Sequence, residues 1–230
     1  FFSSSLSPSD SIQILGGGKA ADELAAALEI LLDARVTGVV VTDERTASLE
    51  HVTVREGEHP SPGGGSMKGA SAVLDAAATA DERTLVMAVI AGGGSALLCA
   101  PAGELSVEDI QAVTNELLSA GASIEEINTV RRACSRIKGG GLVAAATPAT
   151  VVGVLVSDVV GDDLSVIASG PTVPTASDPA AALDVLDRYN LEVPSVREWL
   201  GATDPTAPPT TDVDNHVIAS GRDAIDAAEQ

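Results

Sequence analysis

Aromatic side chains are scarce in this sequence: its 230 residues include two Phe, one Tyr and one Trp, or 2% of the chain. The core of a folded domain must therefore come mainly from Ala, Val, Leu and Ile, which dominate the 45% of residues that are hydrophobic. No apolar stretch approaches the ~18 residues that a membrane-spanning helix needs, so we expect no membrane partner. The length allows one large α/β domain or two small ones.

Positively charged residues are also few. The chain has 13 Lys and Arg against 33 Asp and Glu, which gives a formal net charge of −20. Such a surface repels phosphate backbones and anionic lipid headgroups, and this argues against nucleic acid and membrane surfaces as partners. The apolar content separates the chain from acidic disordered tails. Because dissolved ions screen self-repulsion, the composition is typical of enzymes adapted to high salt, and we expect a halophilic archaeal source.

Cysteine is limited to Cys99 and Cys134. Two cysteines cannot form the disulfide framework of a small secreted domain, and so few suit the reducing cytoplasm. The first residues, FFSSSLSPSD, lack an initiator Met and the basic segment of a signal peptide, and the chain stops within the helix-like run DAIDAAEQ. We therefore expect a cytoplasmic protein of which this sequence is one part.

Short β-branched runs alternate with longer Ala-rich segments of helical period, which is the pattern of βαβ units. It predicts an α/β fold: a doubly wound, mostly parallel sheet with helices on both faces. We expect a single domain over 1–230 with a surface loop at 204–214; the alternative is an excursion from the sheet between 178 and 214. The predicted strands are 12–15, 38–42, 51–55, 84–91, 150–157 and 216–220, and the predicted helices are 20–32, 67–80, 106–119, 123–138 and 178–190.

Lysine occurs at three positions, Lys19, Lys68 and Lys138, and two of them adjoin glycine runs. Lys19 follows the first predicted strand in GGGKAA, at the start of a helix, where the helix dipole favours anions. We predict that Lys19 binds a phosphate or a carboxylate as a point charge. Read as G-x-G-x-x-A with Asp43 after the second strand, the same stretch suggests a dinucleotide site, although this pattern has low specificity.

A second glycine run directly follows the apolar strand 84–91. Successive glycine amides can converge on the oxygens of an anion, whereas three glycines in a plain turn cost conformational entropy without a gain in packing. A serine hydrolase is disfavoured, because G-x-S-x-G needs glycine where Leu97 stands. We therefore predict phosphate contacts from Gly92, Gly93, Gly94 and Ser95.

Acidic residues cluster after the strand 150–157, in the segment SDVVGDD. Carboxylate oxygens suit Mg²⁺, which takes one or two carboxylates and completes its shell with water and substrate phosphate. The segment therefore predicts a magnesium site formed by Asp158, Asp162 and Asp163.

Residues 127–141 contain a positive cluster. Asn128, Arg131 or Arg132, Ser135 and Lys138 recur at three- and four-residue spacings, which places them on one face of the predicted helix. In a chain with 13 cations, this cluster is expected to attract an anionic substrate. His59, in GEHPSP, is a weaker candidate, as a hydrogen-bond donor at the rim of a cleft.

Taken in order, GGGKAA, GEHPSP, AGGGSALL, GASIEEINTVRRACSRIKGG and SDVVGDDLSVIASGPTVP resemble the N-terminal domain of the class II glycerate kinases, a family also described as hydroxypyruvate reductases. The resemblance runs from about residue 12 to 189. It implies a Rossmann-like N-terminal domain whose smaller C-terminal partner lies outside this sequence, with an active site between the two. It also implies ATP-dependent phosphorylation of D-glycerate, typically to 2-phosphoglycerate, and an essential Lys19.

These observations together predict a glycerate 2-kinase that uses ATP and Mg²⁺. The alternatives are an NAD-dependent hydroxypyruvate reductase and a ligand-binding module that is inactive alone; a homodimer is left open. The interpretation depends on Lys19, Ser95 and Asp158 lying at one edge of the sheet. The assigned residues are Lys19 and Asp158 for catalysis; Gly92, Gly93, Gly94, Ser95, Asn128, Arg131 and Lys138 for substrate and phosphate; and Asp158, Asp162 and Asp163 for the metal.

Overall fold

The structure is a computed structural model that describes residues 11–32, 36–211 and 213–223. Strands and helices alternate as the sequence predicts, although three helices were not expected. The strands are β1 (Ser11–Gly17), β2 (Val36–Thr42), β3 (Val52–Glu56), β4 (Thr84–Ile90), β5 (Thr150–Ser157) and β6 (Val213–Ser220). The helices are α1 (Ala21–Leu32), α2 (Gly64–Ala77), α3 (Gly94–Leu97), α4 (Val107–Ser119), α5 (Ile124–Ala133), α6 (Gly141–Ala146), α7 (Pro179–Arg188) and α8 (Pro194–Ala202).

The six strands form one sheet in the order β3-β2-β1-β4-β5-β6. Every pair of neighbours is parallel, so all carboxyl ends lie at the same edge. The chain direction of the crossovers reverses between β1 and β4, which pair as far as Gly17 and Ile90. Open α/β sheets bind ligands beyond the carboxyl ends at such a reversal.

Strand β4 shows why the sheet is covered on both sides. All seven of its residues are buried. Because successive side chains point to opposite faces, Val86, Ala88 and Ile90 pack in a core with α2 and α6, whereas Leu85, Met87 and Val89 pack in a core with α1. The prediction of a doubly wound α/β fold is confirmed.

Helices α7 and α8 leave the sheet and pack on α4 and α5, forming a third apolar cluster. Both helices lie within the segment 178–214, for which an excursion from the sheet was the alternative prediction. The largest side chain of this third cluster is that of Trp199, whose Nε1 donates to the carbonyl of Ala133 at 3.0 Å. The indole ring lies so close to Gly103 that a Cβ there would approach it to 2.1 Å.

The capping boxes expected at Ser106 and Ser123 are both present and start α4 and α5. The prediction that the second of these helices runs through residue 138 is wrong, because α5 ends at Ala133. Beyond it the chain pairs with a distant segment instead: Ala102 donates to the carbonyl of Cys134, and Arg136 donates to the carbonyl of Ala100.

The three helices that the sequence did not predict are α3, α6 and α8. Strand β6 begins at Val213, inside the loop expected at 204–214. The terminal stretch FFSSSLSPSD and most of DAIDAAEQ lie outside the described residues. Within the described ranges, no helix is both long and apolar enough to cross a membrane.

Candidate active site at the carboxyl edge of the sheet

The loops that follow β1 and β4 are joined directly at the reversal point of the sheet. The amide of Lys19 donates to the carbonyl of Gly92 at 2.9 Å, and the amide of Ala91 donates to the carbonyl of Gly17 at 3.2 Å. The two loops therefore hold each other in position, and Lys19 is fixed beside the second glycine run while its side chain stays exposed.

The glycines at 92 and 93 let three side chains approach this loop. A Cβ at Gly92 would lie 2.4 Å from Oδ2 of Asp158. A Cβ at Gly93 would lie 3.0 Å from Cδ2 of His59 and 3.2 Å from Cγ of Lys19. Gly93 also has a φ of 80°, in the left-handed region that favours glycine. Lys19, His59 and Asp158 thus surround one short stretch of bare backbone.

The amide groups of Gly92 and Gly93 donate to no acceptor among the described residues. Adjacent N–H groups that are not used in secondary structure can bind anion oxygens. They lie next to the side chain of Lys19, whose Cγ would be 3.2 Å from a Cβ at Gly93, so the loop combines a positively charged residue with free donors. This arrangement fits a phosphate or carboxylate group.

Ser95 continues the loop and is held from behind by buried polar side chains. Its Oγ lies 2.9 Å from Oγ of Ser169, and Ser169 donates to Oδ1 of Asn128, also at 2.9 Å. Ser169 is fully buried and Asn128 is 1% exposed. Asn128 thus lies behind Ser169 and is not among the residues that line the cavity in front of Ser95, and the ligand contact expected for it stays a prediction.

Lys138 was expected to face the ligand from a helix, but it follows α5 and is buried, 6% exposed. Its ammonium donates to the carbonyl oxygens of Ser95 at 2.9 Å and Leu98 at 3.3 Å, so it supports α3 from below. Burial lowers the pKa of Lys138 to about 7. Ser135 also lies beyond the helix and accepts hydrogen bonds from the amides of Ile137 and Lys138.

Arg131 borders the cavity in front of Ser95, and burial lowers the pKa of Arg131 from its ordinary value. Among the described residues neither Arg131 nor Lys138 forms a salt bridge. In a chain with a net charge of −20, Arg131 is therefore a cation without a carboxylate partner, and it gives the cavity a local positive potential. Burial likewise lowers the pKa of Arg132, the alternative to Arg131 in the sequence pattern, and the charge of nearby Asp163 offsets only part of that effect.

The cavity in front of Ser95 has a volume of about 340 Å³ and is lined by the 59–62 loop, the glycine loop, α4, Arg131 and Lys138. The α4 wall supplies Gln111, Thr114 and Asn115, which the sequence interpretation missed. Their spacing of three and four residues places them on one helix face, but nothing in the sequence shows that this face is turned towards the glycine loop.

The loop that carries His59 is held at both ends. On one side, the Glu58 carboxylate accepts hydrogen bonds from the amides of Gly65 and Ser66 at the start of α2, and these bonds lower the pKa of Glu58. On the other, the Gln111 amide donates to the carbonyl of Pro62. His59 is therefore held in position in the cavity wall, although the sequence analysis treated it as a weaker candidate.

The three aspartates predicted as a magnesium site do not come together. Asp158 lies against Gly92, whereas Asp163 accepts hydrogen bonds from the amide and hydroxyl of Ser165, which lower its pKa. Asp162 has a φ of 52° and lies in the loop between them. In the ranges that the structure describes, no group of three or more His, Cys, Asp or Glu side chains could hold a metal. Asp158 is the exposed carboxylate that lies against the glycine loop.

The glycines of GGGKAA have a structural explanation that weakens the dinucleotide reading. Gly16 lies inside β1, where a Cβ would come within 1.9 Å of the Val89 carbonyl oxygen. At Gly18, a Cβ would lie 2.5 Å from the carbonyl oxygen of Ala91. Both glycines permit the close approach of β1 to β4 and its loop. The close packing of these strands therefore explains the glycines of the G-x-G-x-x-A pattern without a bound dinucleotide.

Residues 3–201 match the model of a protein family described as a domain of unknown function, DUF4147. The chain belongs to the DUF4147 family. Among curated relatives, it is 41% identical over 198 residues to a glycerate kinase of Danio rerio, covering 79% of this chain and 39% of that protein. It is 41% identical over 186 residues to a D-glycerate 2-kinase of Thermotoga maritima, covering 80% and 45%. A protein of Agrobacterium vitis, provisionally named a hydroxypyruvate reductase, is 40% identical over 221 residues, covering 94% and 57%.

Two solved structures share the fold. The glycerate kinase of Thermotoga maritima matches with a TM-score of 0.88 and 37% identity, over 95% of this chain and 53% of that chain. A protein of Pyrococcus horikoshii matches with a TM-score of 0.86 and 38% identity, over 95% and 52%. The chain thus spans about half the length of the relatives and structures it matches.

Proposed function

We propose that the protein transfers the γ-phosphoryl group of ATP to a hydroxyl of D-glycerate, giving 2-phosphoglycerate and ADP. The observation that carries this proposal is the convergence of Lys19, two free glycine amides and Asp158 at the reversal point of the sheet. The glycerate kinase names of relatives about 40% identical support the same substrate.

Phosphoryl transfer requires mainly that the reactants be positioned and that negative charge be neutralised. We assign Lys19 to the transferring phosphate or the glycerate carboxylate, and the Gly92 and Gly93 amides to phosphate oxygens. Arg131 adds positive potential across the cavity. Asp158 is placed to accept the proton that the attacking glycerate hydroxyl loses as the new phosphorus–oxygen bond forms and ADP leaves.

The site offers Mg²⁺ one carboxylate, that of Asp158. Asp158 is an exposed carboxylate beside a phosphate-binding loop, and magnesium in such sites takes one or two carboxylates together with substrate oxygens. Asp158 is therefore the residue that would hold the ion, which would neutralise phosphate charge when bound. Asp163 is already engaged by Ser165 and is not assigned to it.

The proposal is tested on the protein at its natural length by incubation with ATP, Mg²⁺ and D-glycerate and, separately, with NADH and hydroxypyruvate. We expect ADP and 2-phosphoglycerate in the first reaction and no NADH oxidation in the second. NADH oxidation without ADP formation would replace the kinase with the reductase named among the relatives. Calorimetric binding of ATP and D-glycerate without turnover in either reaction would support a ligand-binding module.

Lys19→Ala should abolish turnover while leaving Tm nearly unchanged, because the side chain is exposed. Lys68→Ala is the matched control: Lys68 is also an exposed lysine, but it lies on α2 in a groove with Arg45 and Arg55 and not beside the glycine loop as Lys19 does. Full activity of the Lys19 variant would remove this residue from the mechanism. A cytoplasmic location, a high-salt source and a homodimer remain predictions from composition and resemblance.

A further inference from the structure

Ser95 is the cavity residue with the most extensive buried support. Its carbonyl oxygen accepts a hydrogen bond from Lys138, and its hydroxyl contacts Ser169, which in turn contacts Asn128. Buried polar groups are costly unless they are hydrogen-bonded, yet Nδ2 of Asn128 has no partner among the described residues. The hydrogen bond from Ser169 is thus the one that compensates for the burial of the Asn128 side chain.

The backbone around Ser169 is held in an uncommon conformation. Ala168, Ser169 and Gly170 have φ values of 51°, 62° and 69°, and the first two are not glycine. Each non-glycine residue in this left-handed region costs on the order of 1 kcal/mol. Ala168 also lies against the glycine loop, where a Cβ at Gly94 would come within 2.7 Å of its own Cβ. Surrounding contacts therefore hold this turn, and the Ser169 hydroxyl, against the back of Ser95.

The direction of the hydrogen bonds follows from the number of protons. A serine hydroxyl has one proton, and Ser169 donates it to Oδ1 of Asn128. The bond between Ser95 and Ser169 must then use the proton of Ser95. The hydroxyl of Ser95 consequently presents its lone pairs to the cavity that it lines, and it can accept hydrogen bonds there but cannot donate one.

We propose that Ser169 and Asn128 are positioning residues that orient the Ser95 hydroxyl as an acceptor for a hydroxyl group of the bound hydroxy acid. The proposal rests on the proposed function for the identity of the ligand. It changes the role predicted for Ser95, because phosphate oxygens need donors: the phosphate contacts fall to Lys19 and the glycine amides, and Ser95 contacts the hydroxy acid.

Ser169→Gly separates this role from a structural one. Glycine adopts a φ of 62° without strain, so the variant loses the hydroxyl but relieves the backbone. We expect only a modest fall in Tm, because the relief of backbone strain offsets part of the cost of leaving Oδ1 of Asn128 unpaired, while the affinity for D-glycerate, measured by calorimetry, falls about tenfold. Inorganic phosphate serves as the second probe, and its affinity should change by less than about twofold. An unchanged glycerate affinity, or an equal loss for phosphate, would overturn the proposal.

A double-mutant cycle tests whether Ser169 acts through Ser95. We expect Ser95→Ala and Ser169→Ala each to lower kcat/KM for D-glycerate about tenfold, and the double variant to lose no more than either alone. Independent, multiplicative losses would overturn the relay.

The control is Thr172→Val, three residues along the same turn. The Thr172 hydroxyl is buried and has no partner among the described residues, so its removal should leave kcat/KM unchanged. If the wild-type protein binds glycerate but does not phosphorylate it, the proposed function fails while the calorimetric test of the relay still stands.

Discussion

Two glycine runs, at 92–94 and 139–141, each lie beside a lysine in the folded protein and do different work. Gly93 in the run at 92–94 lines the cavity, next to the exposed Lys19, and its amide has no acceptor among the described residues. The run at 139–141 follows the buried Lys138, and the amides of Gly139 and Gly140 donate to the carbonyls of Ser169 and Gly170. A glycine run therefore predicts an unusual backbone, and whether its amides already have acceptors decides whether that backbone can bind a ligand or supports the residues that do.

Matched substitutions at Gly93 and Gly140 should show this difference most strongly. Their φ values are 80° and 84°, so alanine introduces similar backbone strain, on the order of 1 kcal/mol, at both. At Gly140 the added Cβ meets the backbone of Pro174 at 2.7 Å, and at Gly93 it meets the side chains of His59 and Lys19. We expect Gly140→Ala to cost about 3 kcal/mol of unfolding free energy, and Gly93→Ala to cost about 1 but lower kcat/KM about a hundredfold.

Denaturant unfolding and steady-state kinetics of the two variants at natural length give the measurement. The comparison is broken if Gly93→Ala is the less stable of the two, or if Gly140→Ala loses activity while remaining as stable as the wild type.

The Lys138→Met variant tests the burial of Lys138 through the pH dependence of the unfolding free energy. With a folded pKa of about 7 and a usual value of 10.5, Lys138 is neutral in the folded protein and charged in the unfolded chain between these limits. The unfolded state then binds more protons, so stability rises with pH across this window. From about pH 7 to about pH 9 the wild type should gain about 2 kcal/mol relative to the variant.

The difference between the two proteins is the quantity to follow, because burial also raises the pKa of Cys134 to about 12. That thiol keeps its proton in the folded state and makes stability fall above its usual pKa of 9.0, equally in both proteins. A pH-independent difference would mean that the Lys138 ammonium reaches solvent, and both lysines would then face the ligand side.

Salt should have the smallest effect and should separate the exposed lysine from the buried one. Raising KCl from about 0.1 M to about 2 M screens the self-repulsion of a chain with net charge −20, so the unfolding free energy should increase by about 1 kcal/mol. The same change should weaken phosphate binding beside the exposed Lys19, but leave the pH window of Lys138 in place. Equal salt sensitivity of the two properties would contradict the assignment of Lys138 to the interior.

The sequence predicted those features that depend on local pattern. The apolar run of β4, the capping boxes at Ser106 and Ser123, and the common edge for Lys19, Ser95 and Asp158 follow from periodicity and from the parallel sheet. The features it missed depend on distant contacts. The end of α5 is set by pairing with residues 100–102, and the α4 face with Thr114 and Asn115 is directed by packing. Asp163 was predicted as a ligand because it clusters with other aspartates after a strand, whereas its carboxylate accepts hydrogen bonds from the neighbouring Ser165.

Trp199 is the only tryptophan of the chain, and it is enclosed between Gly103 and the end of α5, away from the sheet. Its emission is consequently an intrinsic reporter of the α4, α5, α7 and α8 cluster and not of the strands. Fluorescence will follow the loosening of that helical cluster, while circular dichroism averages over both parts. A denaturation experiment that records both signals can therefore show whether the two layers of this molecule come apart in one step or in sequence.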